Sequence, residues 1–372
     1  MRNKKIRVAI LFGGRSGEHE VSLQSAASVL AAIDSRKYEV LPIGITKEGR
    51  WLAGNTAGAP TAERLAGVLR QGEPVIASAD PRGPRLLPLN SSSAIRRRFA
   101  GNIDVVFPLL HGTFGEDGTI QGLLDLMGIP YVGAGVLASA AGMDKDIMKR
   151  LFRDAGIPVA GWITVLRKEW RSHPAKVRLS AQRHIGYPAF VKPANLGSSV
   201  GISKVSRAGK LAAALNLAAR YDRKILIEKA VNAREIECAV LGNDQPKASV
   251  PGEIVPVNEF YDYEAKYLRE GSKLLIPAPL DRRQTQRVRE LALQAFKAID
   301  CSGMARVDFL LDRKTGQFVV NEINTIPGFT AISMYPKLWE ASGIPYTELI
   351  DQLIRLALER QTENNGTEYT YR

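Results

Sequence analysis

The stretch ARVDFLLDRKTGQFVVNEIN, residues 305–324, constrains the fold more than any other part of the chain. Two apolar runs flank DRKTG, a glycine-containing turn, and this is the pattern of a β-hairpin. A hairpin centred near Lys314 sets Asp308 roughly opposite Glu322. Side chains two apart on a strand share a face, so Arg306 joins Asp308, and Asn324 joins Glu322. A buried sheet tolerates unpaired polar groups poorly. A solvated sheet end could carry the two acids alone. The register, the added amide and the nearby guanidinium favour a divalent-metal shelf instead. An all-oxygen set of Asp308, Glu322 and Asn324 suits Mg²⁺ or Mn²⁺. A cation beside such acids suits phosphoryl oxygens.

The rest of the chain supplies a frame for that hairpin. IRVAILFGG followed by SLQSAASVLAAI reads as strand, glycine turn and helix, and YEVLPIGI as a second strand. Strands alternating with helices imply a parallel, doubly wound unit. Residues 52–100 mix Pro, Gly, Ser and Arg, and read as an insertion with a hairpin. IDVVFPLLHG is a further buried strand ending at His111, TIQGLLDLMG a helix, PYVGAG a short strand, and MDKDIMKRLFRDAG a helix that stops at Gly156. Near residue 157 the texture changes to short strands around the helix KLAAALNLAARY, a small α+β unit. From about residue 230 a larger, mostly antiparallel sheet follows, with QTQRVRELALQAFKAID as its helix. The polar tail QTENNGTEYTYR is expected to fray.

Composition removes several function classes. The net charge of +13 raises nucleic acid as a partner. But the Lys and Arg are dispersed and the densest run is RRR at 96–98, so a basic solvated surface is the better reading. Apolar runs such as VAILF are too short to cross a bilayer. The basic start followed by that run ends in Gly-Gly without a cleavage-type segment, and reads as a first strand. Cys238 and Cys301 form no disulfide framework and fit a reducing cytoplasm.

Two loops carry weaker signals. In VKPANLGSSVGI, residues 191–202, Lys192 ends a strand, and Gly197, Ser198, Ser199 and Gly201 make a loop of small residues. Such a loop can bring backbone N–H groups to phosphate oxygens, though it serves equally as a hairpin turn. The pattern G-x-x-x-x-G-K-[ST] is absent, and GGRSG lacks G-x-G-x-x-G. In ILIEKAVNAREIE, residues 225–237, a strand becomes a linker that could offer backbone groups to a base and an acid to a ribose.

Together these stretches resemble the D-alanine–D-alanine ligases of the ATP-grasp superfamily. The matching segments are LFGGRSGEHEVSLQSA, HGTFGEDGTIQGLLDLMGIPYVGAGVLASAAGMDK, VKPANLGSSVGI, IEKAVNAREIECAVLG, FYDYEAKY and ARVDFLLD…NEINTIPGFT, in the family's order from residue 7 to 334. Some members carry Arg-Glu where Asn195 and Leu196 stand; the glycine and serines that follow are intact.

The resemblance implies an α/β and α+β fold of three domains: a parallel α/β domain over 1–136, a small ATP-grasp lid over 137–228, and a sheet domain with the metal site over 229–372. It implies ATP-dependent joining of two D-alanine molecules through a D-alanyl phosphate, for peptidoglycan, in the cytoplasm and in a homodimer, without nucleic acid or membrane. Two Mg²⁺ or Mn²⁺ ions would sit on Asp308, Glu322 and Asn324, and Arg306 would stabilise the acyl oxygen. Lys145, Lys192, Ser199 and Lys266 would meet ATP phosphates, Glu228, Lys229 and Val231 the adenine, and Glu235 the ribose. Glu20, joined to Ser198 and Tyr267, would bind the ammonium of the first D-alanine, with His111 nearby. Gly328, Ser333 and Met334 would receive the second. Tyr267 would favour an amine acceptor over D-lactate. Taken alone, Glu20 would read as a first-turn helix acid.

Overall fold

The computed structural model describes residues 4–54, 59–78, 80, 86–89, 102–255, 273–330 and 332–368. Among these, three sheets follow one another along the chain.

The first sheet contains β1 (Ile6–Gly13), β2 (Tyr38–Ile45), β3 (Trp51–Ala53), β4 (Glu73–Ala77), β5 (Leu86–Pro88) and β6 (Val105–Pro108), ordered β5-β4-β3-β2-β1-β6. β1 lies at depth, with Val8 to Phe12 buried, and therefore reads as a continuous apolar run rather than an alternating one. It pairs in parallel with β2 and β6. The expectation of a parallel unit holds for these three strands. β3, β4 and β5 add on antiparallel, and the β4–β5 pair is a hairpin inside the segment read as an insertion. PYVGAG forms only an isolated bridge at Tyr131, where a strand was expected.

The second sheet is antiparallel, ordered β7 (Trp162–Leu166), β10 (Lys224–Lys229), β8 (Ala189–Pro193), β9 (Ser203–Val205). Helix Leu211–Tyr221 covers it, burying Leu211, Ala214, Leu215 and Ala218. The third sheet runs β14 (Lys273–Leu275), β13 (Gly252–Val255), β11 (Ala233–Gly242), β15 (Gly303–Asp312), β16 (Phe318–Asn324), with β12 (Lys247–Ala248) on β11. Val307, Phe309 and Leu311 of β15 face helix Arg282–Ala298 in one core, while Arg306 and Asp308 face the other way. An Asp281–Gln284 capping box starts that helix.

Two helical segments tie the sheets together. Helices Val136–Met143 and Lys145–Asp154 put Ala138, Ala141, Met148 and Phe152 into the core of the third sheet. MDKDIMKRLFRDAG thus starts its helix at Lys145, with Asp144 as N-cap accepting from the N–H groups of Asp146 and Ile147, both at 3.1 Å. The C-terminal helix Tyr346–Asn364 returns to the first sheet, where Asp351 accepts from Tyr38 Oη at 2.6 Å and Lys37 Nζ at 3.0 Å. It extends into the segment expected to fray. Cys238 and Cys301 are buried free thiols, as their count suggested.

Candidate active site

The hairpin has the register read from its sequence. Asp308 pairs with Glu322 and Arg306 with Asn324. β11 completes the shelf on the other side, with Glu237 opposite Asp308. Arg306 grips Asp308 with a two-pronged hydrogen bond, Nε and Nη2 each at 2.7 Å, and meets Glu237 at 3.0 Å. Burial alone would favour losing its proton, but these two carboxylates reverse that and hold the guanidinium well above its ordinary value. The pairing also contains a bulge between Asp308 and Phe309. It leaves Asn321 as the extra residue, and Asn321 Oδ1 accepts from Lys192 Nζ at 3.4 Å. Bulges re-aim side chains at functional edges, and this one links the third sheet to the second.

On the second sheet, Glu228 lies between two ammonium groups, 3.3 Å from Lys149 and 3.4 Å from Lys192. Lys149 and Glu228 are almost wholly buried, with side chains 1% and 2% exposed. Burial alone would raise the Glu228 carboxyl, but Lys149 and then Lys192 draw it down. Burial also pushes Lys149 down. The ionised arrangement is the one we stand behind, because a neutral Glu228 would leave two buried cations without a counter-charge. Sequence reading passed over Lys149. Its signal was present: it lies four residues after Lys145, on the face that carries Met148 and Phe152.

Lys145 donates from Nζ to the Leu196 carbonyl at 2.7 Å, and so supports the small-residue loop. Burial pushes its ammonium pKa down. In that loop Ser198 and Ser199 hold left-handed backbone, φ 50° and 58°. Strain of roughly 1–2 kcal/mol for each marks a loop shaped for more than a turn.

The loop meets the first sheet through a residue that was not expected. Ser198 donates to Glu18, and Glu18 lines the central cavity. Glu20 does not. It is in the first turn of helix His19–Ala32, 62% exposed, and ion-paired with Lys47 at 2.6 Å. The Lys47 hydrogen bond holds its carboxyl below the ordinary value. Glu20, expected at the substrate ammonium, therefore stands outside the cavity, and Glu18 occupies the place expected of it. Glu18 precedes the helix, and it is close enough to the loop that a Cβ at Gly197 would come within 2.9 Å of its Oε2.

His111 also lines the cavity, but both ring nitrogens are already engaged. Nδ1 bonds the Ile326 carbonyl at 3.0 Å, and Nε2 bonds Ser25 Oγ at 2.9 Å. The carbonyl needs a donor, so the proton is assigned to Nδ1 and Nε2 accepts. Burial holds the ring pKa low. His111 thus positions the Ile326 segment and is not a free base. Beside it, Glu116 accepts from the Gly112 N–H at 2.9 Å. It is 7% exposed, and burial, followed by the charge of Glu18, pushes its carboxyl up to about 8.

One cavity thus brings together Glu18, His111, Glu116, Lys145, Ser198, Arg306, Glu322, Asn324, Gly328, Ser333 and Met334. Ser333 precedes helix Met334–Ala341, and its Oγ accepts from the Thr330 N–H at 3.0 Å. Asp308 stands beside the cavity through Arg306. Lys192, Ser199, Glu228, Lys229, Val231 and Glu235 lie away from its lining, on β8, β10, β11 and their loops. Lys266 and Tyr267 fall outside the described residues.

Two family profiles match nearly end to end: "D-ala D-ala ligase N-terminus" over residues 7–134 and "D-ala D-ala ligase C-terminus" over 151–355. The chain belongs to the D-alanine–D-alanine ligase family. A D-alanine–D-alanine ligase of Natranaerobius thermophilus is 50% identical over 370 residues, covering 99% of both chains. One from Heliobacterium modesticaldum is 52% identical over 366 residues, covering 98% of each. Among solved structures, the D-alanine–D-alanine ligase of Coxiella burnetii superposes with a TM-score of 0.82 at 38% identity, covering 97% of this chain and 96% of that one. The VanG D-Ala:D-Ser ligase of Enterococcus faecalis superposes with 0.83 at 37% identity, covering 95% of this chain and 100% of that one. Family membership brings with it the ATP-grasp architecture expected from the sequence.

The metal expectation meets a simple test in the donor set. Among the described residues, no three His, Cys, Asp or Glu side chains gather as a metal site. What the hairpin offers is two carboxylates in register and an amide oxygen two residues along the same strand. Hard oxygen donors of this kind fit Mg²⁺ or Mn²⁺ and do not select Zn²⁺.

Proposed function

We propose that this chain joins two D-alanine molecules to D-alanyl-D-alanine with cleavage of ATP to ADP and phosphate, through a D-alanyl phosphate. The observation that carries this reading is the cavity itself. It sets a guanidinium–carboxylate shelf, suited to phosphoryl oxygens, across from Glu18 and Ser198, suited to an ammonium. Family membership supplies the reaction class.

A carboxylate is a poor electrophile, and phosphorylation gives it a leaving group. The first D-alanine, held by its ammonium at Glu18, attacks the γ-phosphorus with a carboxylate oxygen, and the bond to ADP breaks. The second D-alanine, its carboxylate at Ser333, Met334 and the backbone after Gly328, attacks the acyl carbon with its amine. The amine loses a proton, and phosphate leaves. Arg306 stabilises the oxyanion of the tetrahedral intermediate. Lys145 and Lys192 steady the phosphates, with Ser199 in the loop that covers them. Glu228, Lys229 and Val231 meet the base, and Glu235 the ribose. Asp308, Glu322 and Asn324 would hold Mg²⁺ or Mn²⁺, two ions in all, which would neutralise phosphate charge. The role expected of Lys266 and Tyr267, which lie outside the described residues, is to keep water from the acyl phosphate. Tyr267 selects an amine acceptor.

The three sheets support division at 1–136, 137–228 and 229–372, although the helices from 136 to 154 pack on the third sheet. No helix among the described residues is long and apolar enough to cross a membrane. A cytoplasmic homodimer serving peptidoglycan synthesis completes the reading. Carboxylate-¹⁸O D-alanine tests the intermediate. Label must appear in the released phosphate; unlabelled phosphate accompanying dipeptide formation would exclude an acyl phosphate.

A further inference from the structure

Ser25 lies on helix His19–Ala32, is fully buried, and has no part in the mechanism above. Its Oγ is 2.9 Å from His111 Nε2 and accepts from the Phe329 N–H at 3.3 Å. The Ile326 carbonyl accepts from His111 Nδ1 at 3.0 Å. With the ring proton on Nδ1, Nε2 can only accept, so the Ser25 hydroxyl donates to it. One chain of hydrogen bonds therefore leaves the segment 326–329 at the Phe329 N–H, passes through Ser25 and His111, and returns at the Ile326 carbonyl. Between those two ends stand Pro327, which has no N–H, and Gly328.

We propose that Ser25 is a positioning residue for the second amino acid, holding the segment 326–329, together with His111, in the shape that sets the acceptor's seat. The inference deepens the proposed function and rests on its assignment of the second D-alanine to Gly328, Ser333 and Met334. The next contacts carry the constraint to that seat. The Thr330 N–H donates to Ser333 Oγ at 3.0 Å, and the two hydroxyl oxygens are 2.7 Å apart. A Cβ at Gly328 would come within 3.0 Å of the same Ser333 oxygen. Phe329 is held from behind as well. Tyr346 Oη donates to its carbonyl at 2.6 Å, and its ring packs on Phe107, Tyr335 and Tyr346, with centroids 5.7, 5.8 and 5.6 Å away.

The same helix reaches the seat of the first substrate. Glu18 immediately precedes it, and Val21 and Gln24 line the cavity. One helix thus bears on both amino-acid seats and fixes the distance between them. The amine of the second D-alanine must meet the acyl carbon in a near-attack geometry, and a small displacement costs much of the rate. Removing the Ser25 hydroxyl takes the partner from a buried N–H and a buried ring nitrogen, so the segment shifts to satisfy them. The phosphoryl shelf on the hairpin keeps its own contacts, so the acyl phosphate still forms. With its acceptor misplaced, it is attacked by water instead, which returns D-alanine and phosphate without dipeptide.

The test is initial-rate kinetics of the full chain with ATP and Mg²⁺ over a wide range of D-alanine, which separates the constants for the first and second D-alanine. Phosphate and dipeptide are measured in the same samples, for wild type, Ser25→Ala and Ser25→Cys. The inference expects Ser25→Ala to raise the second constant about 10-fold and to leave the first within about twofold. It also expects that variant to release more than one phosphate per dipeptide at low D-alanine. Ser25→Cys keeps a weak donor of similar size and should lie between the two. A merely structural role would lower the thermal midpoint and the rate without moving the ratio of the two constants or the phosphate count. That result overturns the inference, as does a Ser25→Ala enzyme equal to wild type. Should Ser25→Ala not fold, Ser25→Cys decides by the same two readouts. Wild type that makes dipeptide leaves the proposed function standing whatever the variants do. Wild type that makes none overturns that function, and this inference with it.

Discussion

The two ends of the cavity handle buried charge in opposite ways. On the hairpin side, opposite charges interlock: Arg306 lies between Asp308 and Glu237, and behind the cavity lining, at the second sheet, Glu228 lies between Lys149 and Lys192. On the loop side, Glu18 and Glu116 crowd one glycine. The first end is compensated before substrate arrives and suits charge that is transferred. The second gathers two acids, Glu18 hydrogen-bonded by Ser198 and Glu116 by the Gly112 N–H. Buried pairs are costly to break from one side, and buried like charges are costly until joined.

Changes at the compensated end should have the largest effects. Glu322→Gln keeps shape but removes a formal charge from the phosphoryl shelf. Turnover should fall by about 10³-fold with the folded spectrum intact, read by coupled ADP release. Near-normal turnover would remove Glu322 from the metal set. Lys149→Met should cost about 3 kcal/mol of stability, measured by urea unfolding, because Glu228 keeps only Lys192. Glu228 is depressed in the folded state. Its stabilisation is therefore full above its unfolded value, and is lost as pH falls through the lower folded one. A stability curve for wild type that already declines near neutral pH would contradict the ionised triad.

The loop end sharpens the comparison through two acids only two residues apart. Glu18→Gln should lower kcat/KM for D-alanine by about 10²-fold, whereas Glu20→Gln should change it by less than about twofold, since exposed ion pairs contribute little. The reverse order in steady-state kinetics would restore the first assignment. The smallest effect belongs to the bulge. Asn321→Ala should raise KM for ATP by about threefold and leave kcat alone, because a single long hydrogen bond to Lys192 is lost.

The same contrast explains what the sequence could reveal. A hairpin is local, and its period of two fixes which residues share a face, so Arg306, Asp308, Glu322 and Asn324 were readable from spacing. The bulge was not, because nothing in VVNEIN marks Asn321 as the extra residue. The expectation falls on Glu20 rather than Glu18 because the choice depends on where the helix begins. One residue outside the first turn turns the carboxylate toward Ser198, while the first turn sends it to Lys47. GEHE carries no serine, threonine or aspartate cap to mark that start. Glu116 escaped notice because its environment is assembled from distant segments that only the fold brings together.

The ligase reading is tested most directly by phosphate release from ATP and Mg²⁺ with D-alanine, D-serine or D-lactate added, with products identified by mass. The account predicts D-alanine-dependent release with one D-alanyl-D-alanine formed per phosphate. A folded protein that binds ATP but releases no phosphate with D-alanine would contradict it.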